Sequence, residues 1–289
     1  MTQLFSHLRV SSEYSISQGL LTVDQIVDNA IRNSVPSVAL TDKSNMFGLV
    51  KFFNKCESAG IKPISGSSIR LIFDDDETSY ELLCLAKTNN GHKNLMKIIS
   101  NAHNNSSFNS PIIRFNDLIE LKDDIIVISG GKDSHIFEYL KSNNISDASK
   151  RIDDFRNSFG DNFVLDVQLT NRIDEIEYLK NVLPIAKDKG IPLIATNDVL
   201  FAEQDDYEIH ETKVCINTGK TLNDPNRERV FSEHQYFKSP QEMTELFKDY
   251  DSLIDNTNEI SKKCNVSLET KGYFLPEYPV PKNIILIHF

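Results

Sequence analysis

An α/β fold built on a largely parallel sheet or barrel is predicted by three features of this 289-residue chain. About seven short runs rich in β-branched residues recur along it, and most are separated by stretches of helical period. Glycines stand where several of those stretches should stop. Strand, crossover helix and strand repeated in this way give right-handed connections in nearly all proteins. The expected organisation is one main body over residues 1–206, a helical extension over 207–280, and a divergent tail over 281–289.

The strands are expected in "LFSHLRV" (4–10), "SVALTD" (37–42), "KPISGSSIRLIF" (62–73), "YELLCLAK" (80–87), "DIIVIS" (124–129), "FVLDVQL" (163–169) and "IPLIATND" (191–198). The first helix follows Thr22, which with Gln25 makes a capping-box pattern. Val23, Ile26, Val27, Ala30 and Ile31 then share one face, an apolar stripe to be buried against the strands. Similar spacing predicts helices over 49–60, 92–103, 148–160 and 173–190, with Gly60, Gly160 and Gly190 as C-terminal stops. Residues 104–116, "NNSSFNSPIIRFN", are polar and proline-interrupted and are expected to form a loop over one barrel end. The acidic "DDDE" at 74–77 reads as a solvated turn. "ISGGKDS" (128–134) lacks the spacing of a phosphate-binding loop and reads as a strand-to-helix turn. From Tyr207 onward the pattern becomes helical.

Composition excludes some functions. Lys and Arg total 31 against 42 Asp and Glu, a net charge of −11, which is the wrong sign for a chain that grips a phosphate backbone broadly. DNA contact is therefore expected mainly through domains outside this chain. The basic residues of "GKTLNDPNRER" (219–229), Lys220, Arg227 and Arg229, are weighed as a local phosphate contact and read instead as a solvated loop. Cys56, Cys84, Cys215 and Cys264 form no CxxC, so neither a zinc knuckle nor a disulfide framework is indicated. A reducing cytoplasm fits. No stretch approaches the ~20 apolar residues of a membrane span, and no export signal opens the chain.

The runs "HLRVSSEYSISQGL", "ALTDKSNMFGLVKFFNKCESAGIKPISGSSI", "LLCLAKTNNGHKNLMKIIS" and "ATNDVLFAEQDDYEIHETKVCINTGKTLNDPNR" occur in order along the chain. "YFKSPQEMTELF" and "NTNEISKKCNV…YFLPEYP" follow them. Together they resemble the N-terminal PHP (polymerase and histidinol phosphatase) region of bacterial DNA polymerase III alpha subunits, from about residue 4 to 280. The resemblance implies a distorted (β/α)7 TIM-like barrel, with any ligands at strand C-terminal ends, where barrels gather their chemistry.

Carried across position by position, the resemblance also implies a metal site that has lost most of its ligands. The opening His-x-His becomes His7-Leu8-Arg9, and the acidic residue of the next loop is Gln18. Asp42 remains beside a histidine position now held by Lys43, while Ser68 stands for a glutamate, Glu81 for a histidine and Gly131 for a cysteine. Asp198 survives in the last motif, where the histidine has become Leu200. His7 and Asp198, with Glu81 as a further oxygen donor, are too few to hold ions about 3.5–4 Å apart. Charged Arg9 and Lys43 offer no lone pair. The two cations are expected to take the metals' place, pairing with Asp198 and Glu81; the competing expectation is that they point to solvent. His92, His103, His135, His210 and His234 lie outside the motifs and read as packing or surface histidines.

The implied function is that of a catalytically degenerate scaffold within a replicative polymerase. It would dock the proofreading exonuclease subunit and other replicase subunits, hold no cofactor itself, and leave Mg2+ to the polymerase domain. The alternative is a metal-dependent 3′–5′ exonuclease or phosphoesterase. The polymerase palm would lie beyond this chain, and the closing "KNIILIHF" departs from the family pattern.

Overall fold

Side-chain alternation along short strands decides the architecture, because each strand can send every second residue inward. In the computed structural model, which describes residues 4–76, 78–104 and 111–268, seven strands form one sheet. They are β1 (Ser37–Leu40), β2 (Lys62–Ile72), β3 (Tyr80–Ala86), β4 (Ile112–Arg114), β5 (Ile125–Ile128), β6 (Phe163–Gln168) and β7 (Leu193–Thr196). Their order is β1-β2-β3-β5-β6-β7, with β4 paired to β2. All pairings are parallel except those of β3, which runs antiparallel to β2 and to β5.

The expected first strand, 4–10, is present as an extended segment that bridges the two ends of the sheet. His7 pairs with Val38 and Val10 with Val199. The Ala39 and Thr41 amides donate to the carbonyls of His7 (2.8 Å) and Val10 (2.9 Å), while the Ser11 amide donates to the Val199 carbonyl (2.9 Å). The sheet thereby curls into the distorted barrel expected from the resemblance.

Inside, Leu8, Ala39, Ile64, Leu83, Leu85, Ile126, Ile128, Val164 and Ile194 form one apolar cluster. Their neighbours in sequence face outward: Val38 and Leu40 pack with α1 (Val23–Arg32) and α2 (Leu49–Ser58). Cys84, Val127 and Leu165 pack with α3 (Asn89–Asn104), α6 (Ile145–Phe159) and α7 (Glu175–Lys189). Both halves of the Thr22–Gln25 capping box form.

Two expectations need correction. Residues 104–116 are not wholly a loop: β4 extends the edge of β2, burying Ile113, and α4 (Phe115–Glu120) begins at once. Residues 105–110 of that stretch lie outside the described residues. The 128–134 turn leads from β5 into a helix as expected: α5 (His135–Lys141), capped by Ser134. The stretch from Tyr207 is not purely helical. Between α8 (Tyr207–Thr218) and α9 (Pro240–Leu246) the chain returns to the barrel, where Leu200 N–H donates to the Gln235 carbonyl (2.9 Å) and Phe237 N–H to that of Phe201 (3.1 Å).

The last helix, α10 (Asp251–Lys263), covers the end of the sheet beside β7. Thr257 Oγ1 donates to one backbone oxygen and accepts from the Ala195 amide (3.1 Å). Ile260 and Cys264 complete the barrel's interior cluster.

Candidate functional site

Follow the inward rows of the strands toward one end and they change from apolar to polar. Ile64 leads through Gly66 to Ser68, and Leu85 and Leu83 lead to Glu81, because β3 runs the opposite way. Val164 is followed by Asp166, and Ile194 by Thr196. The turn at 128–134 approaches the same end: a Cβ on Gly130 would meet the Glu81 carbonyl at 2.2 Å, and one on Gly131 would meet the Gln168 side chain at 2.4 Å. Gly130 has a φ of +99° and Gly131 of +60°, conformations that favour glycine, and at Gly130 the neighbouring backbone leaves no room for a side chain.

Glu81 is the meeting point of the two cations. Arg9 Nη1 lies 3.5 Å from Glu81 Oε2, and Lys43 Nζ makes a close ion pair with Oε1. Ser68 Oγ donates to Oε2 (3.3 Å). Burial alone would push the Glu81 carboxyl's pKa up; the charges of Lys43 and Arg9 outweigh it and pull the pKa down to about 2. Burial works against the Arg9 charge too, but Asp166, Asp198 and Glu81 surround it and hold its pKa above the ordinary value.

Asp198 does not meet Lys43. It accepts from Gln235 Nε2 (2.8 Å) and stands 4.0 Å from Arg172 Nη1. The expected foursome is thus two groups, with Arg9 in the field of both Glu81 and Asp198. Asp42 turns away from both: it accepts from the Ser12 amide (2.7 Å), Ser12 Oγ (2.7 Å) and Ser15 Oγ (2.6 Å), bracing the loop after the first strand. His7 is fully buried between Phe5 and Phe237, with Nε2 2.8 Å from the Lys238 carbonyl. Burial depresses its pKa to about 4, which keeps it neutral. Gln18 lines the cavity at this end, and Leu200 is buried.

Other groups here had no motif to announce them. Asp166, wholly buried, accepts from Ser129 Oγ (2.7 Å), the Gly131 amide (2.7 Å) and Thr196 Oγ1 (2.8 Å). Arg172 and Glu175 pair at 3.1 Å with side chains only 6% and 3% exposed, and Thr170 gives both its amide and its hydroxyl to Glu175. The one signal in the sequence was an aspartate on an inward row between Val164 and Gln168.

Four of the remaining histidines serve packing, while His234 is partly exposed beside Glu233. His92 Nδ1 lies 3.0 Å from Ser65 Oγ, and His103 Nε2 is 2.8 Å from the Ser44 carbonyl. His135 stacks on Tyr80, and His210 lies between Phe201 and Phe231. Arg227 is buried against Glu211 in an ion pair and Lys220 faces Asp224 at 3.4 Å, so these two basic residues of 219–229 are engaged within the chain. Among the described residues, no three His, Cys, Asp or Glu side chains stand close enough to hold a metal ion. The donors at this end do not fit a multinuclear centre. No described helix is long and apolar enough to cross a membrane.

The family model described as "PHP domain" matches residues 7–170. Over 286 residues, 98% of this chain, the sequence is 38% identical to DNA polymerase III subunit alpha of Pseudomonas aeruginosa. Over 278 residues, 95% of the chain, it is 39% identical to that of Escherichia coli K12. The chain spans 24% of the length of each of these relatives. Among solved structures, an amidohydrolase from Chromobacterium violaceum aligns with 72% of this chain and 96% of its own at a TM-score of 0.48 and 11% identity. A two-domain protein from Bacteroides vulgatus with a predicted PHP-like phosphoesterase aligns with 89% and 69% at a TM-score of 0.40 and 14% identity.

Proposed function

This chain belongs to the PHP domain family, and from that premise we propose that it is the PHP region of a replicative DNA polymerase III alpha subunit, acting as a catalytically degenerate scaffold. The observation that carries the reading is the double ion pair at Glu81. Two cations and a buried carboxylate occupy the strand ends where the family resemblance expects metal ligands. A metal-activated water needs open coordination positions and several neutral or anionic donors. Arg9 and Lys43 supply neither, and they repel a divalent ion.

In this reading the barrel binds no catalytic metal, stiffens the subunit, and docks the proofreading exonuclease subunit and other replicase components. DNA is held and extended by domains outside the chain, with their own Mg2+. A cytoplasmic location belongs to the same proposal, supported by four buried cysteines that all remain free thiols.

Elemental analysis of the purified chain after exposure to zinc and manganese is the direct test. Less than one equivalent of metal, and no chelator-sensitive degradation of single-stranded DNA, is the expected result. Two or more tightly held ions per chain, with nuclease activity absent from a Glu81→Gln control, would replace the scaffold with an enzyme. Co-elution with the proofreading exonuclease subunit in gel filtration tests the docking role.

A further inference from the structure

Among the described residues, Arg9 is the one arginine with buried nitrogens that bond to nothing. Its Nε and Nη2 have no hydrogen-bond partner, while Nη1 is turned to Glu81 at 3.5 Å. The residue is only 3% exposed. Nε–H and one Nη2–H leave the same edge of the planar guanidinium nearly in parallel, so both unmet donors face one spot. Donors of a buried charged group are costly to leave unmet.

Asp198 is seated beside that group but stands back from it. Val10 bridges to Val199, and the Val199 amide donates to the Arg9 carbonyl (3.2 Å), which brings Asp198 alongside Arg9. Asp198 acts on the Arg9 charge through space, yet the two make no direct ion pair. Asp198 Oδ2 accepts from Gln235 Nε2 (2.8 Å) and faces Arg172 (4.0 Å), whereas Oδ1 has no partner among the described residues.

A molecule suited to this spot accepts from a guanidinium and donates to a carboxylate. A metal ion is repelled by Arg9, and an ammonium-type cation cannot accept. An anion cannot donate, and it would face the charges of Glu81, Asp166 and Asp198. Water does both, and buried waters are held in this way by about three hydrogen bonds to polar groups.

We propose that a structural water is bound between the Nε–Nη2 edge of Arg9 and Oδ1 of Asp198, joining the Glu81 group to the Asp198 group. The Asp198 side chain keeps 13% exposure, which gives the water a way in from solvent. The proposal rests on the scaffold reading and deepens it: cations, carboxylates and a water together tie the strand ends without an ion.

A high-resolution crystal structure of the full chain tests it without any substitution. The expected result is a water oxygen about 2.7–3.2 Å from Arg9 Nε or Nη2 and from Asp198 Oδ1. Arg9 bonded directly to Asp198, or with its Nε–Nη2 edge open to bulk solvent, would overturn the water and leave the scaffold standing. A metal ion at that spot, identified by anomalous scattering, would overturn both. In solution, magnetic relaxation dispersion of the water oxygen counts waters held for longer than the molecule takes to tumble. The parent chain should hold at least one more than Arg9→Met, whose side chain fills the space but donates nothing. Equal counts would refute the proposal, and if Arg9→Met does not fold, the crystal structure of the parent decides alone.

Discussion

Arg9 and Lys43 both pair with Glu81, so removing Glu81 loosens the hold on two cations at once, one of them buried. The Arg9 side chain is 4% exposed and that of Lys43 32%, which makes their contributions unequal. Glu81→Gln should cost about 3 kcal/mol, the low end for breaking a buried pair, because Glu81 itself keeps some contact with water. Lys43→Met should cost about 1 kcal/mol. Denaturant midpoints of the two single variants and the double should reveal a coupling of roughly 1 kcal/mol, whereas Lys43→Met with Asp198→Asn should add within about 0.5 kcal/mol. Full additivity in the first cycle would show that Glu81 does not hold Lys43. The residues around Glu81 were legible through the family motifs, which brought together cations and carboxylates far apart in sequence. The split between Glu81 and Asp198 was not, because it depends on Arg172 and Gln235, which no motif marks. Asp166 was equally hidden: one aspartate in an otherwise apolar strand reads like any edge residue until the inward row is known.

The acidic turn after β2 is a clamp at the scale of elements. Asp74 pairs with Arg114 at the end of β4 (3.0 Å), and Asp75 pairs with Arg151 and Lys150 of α6. Arg151 in turn lies 3.9 Å above the Phe73 ring. The sequence reads as a solvated turn because each cation lies dozens of residues downstream, beyond any local pattern; Glu77 lies outside the described residues. Asp75→Asn should cost about 1 kcal/mol, and the loss should shrink in high salt, since Asp75 is about half exposed. An equal loss at low and high salt would argue against a charge clamp. Strand β4 escaped notice for a related reason: three residues are too few to establish a period, and the seven of α5 were signalled only by the turn that leads into them. The longer helices, with two or more turns of apolar spacing, were readable. So was the polar end of the extension, though not its use. Thr257→Val in α10 removes the hydroxyl that serves the Ala195 backbone on β7. It should cost about 1–3 kcal/mol, the penalty for an unsatisfied buried amide, measured as a lower urea midpoint.

The whole molecule's response to pH follows from groups whose folded and unfolded affinities for protons differ. With a net charge of −11, simple self-repulsion predicts a chain that gains stability as mild acid neutralises it. The buried histidines predict the reverse. Burial lowers the His7 pKa from 6.5 to about 4 and that of His135 to about 3. Between pH 6.5 and 4 the unfolded chain therefore takes up protons that the folded chain refuses, so stability falls as pH falls. Each histidine contributes a slope of up to about 1.4 kcal/mol per pH unit inside that window. Glu81 acts in the same direction lower down. Its folded pKa, about 2 against an ordinary 4.5, gives stability that is fully present above pH 4.5 and disappears as pH drops toward 2. Surface repulsion is screened by salt, whereas these three groups are buried, so at 0.15 M salt the buried groups should dominate. Urea midpoints measured at pH 7, 6 and 5 should decline progressively. His7→Gln, which keeps a donor for the Lys238 carbonyl but cannot titrate, should flatten the slope by about one proton's worth. A midpoint that holds or rises from pH 7 to 5 would mean that His7 and His135 protonate freely in the folded chain, and that the packing around Phe5, Phe237 and Tyr80 is looser than described.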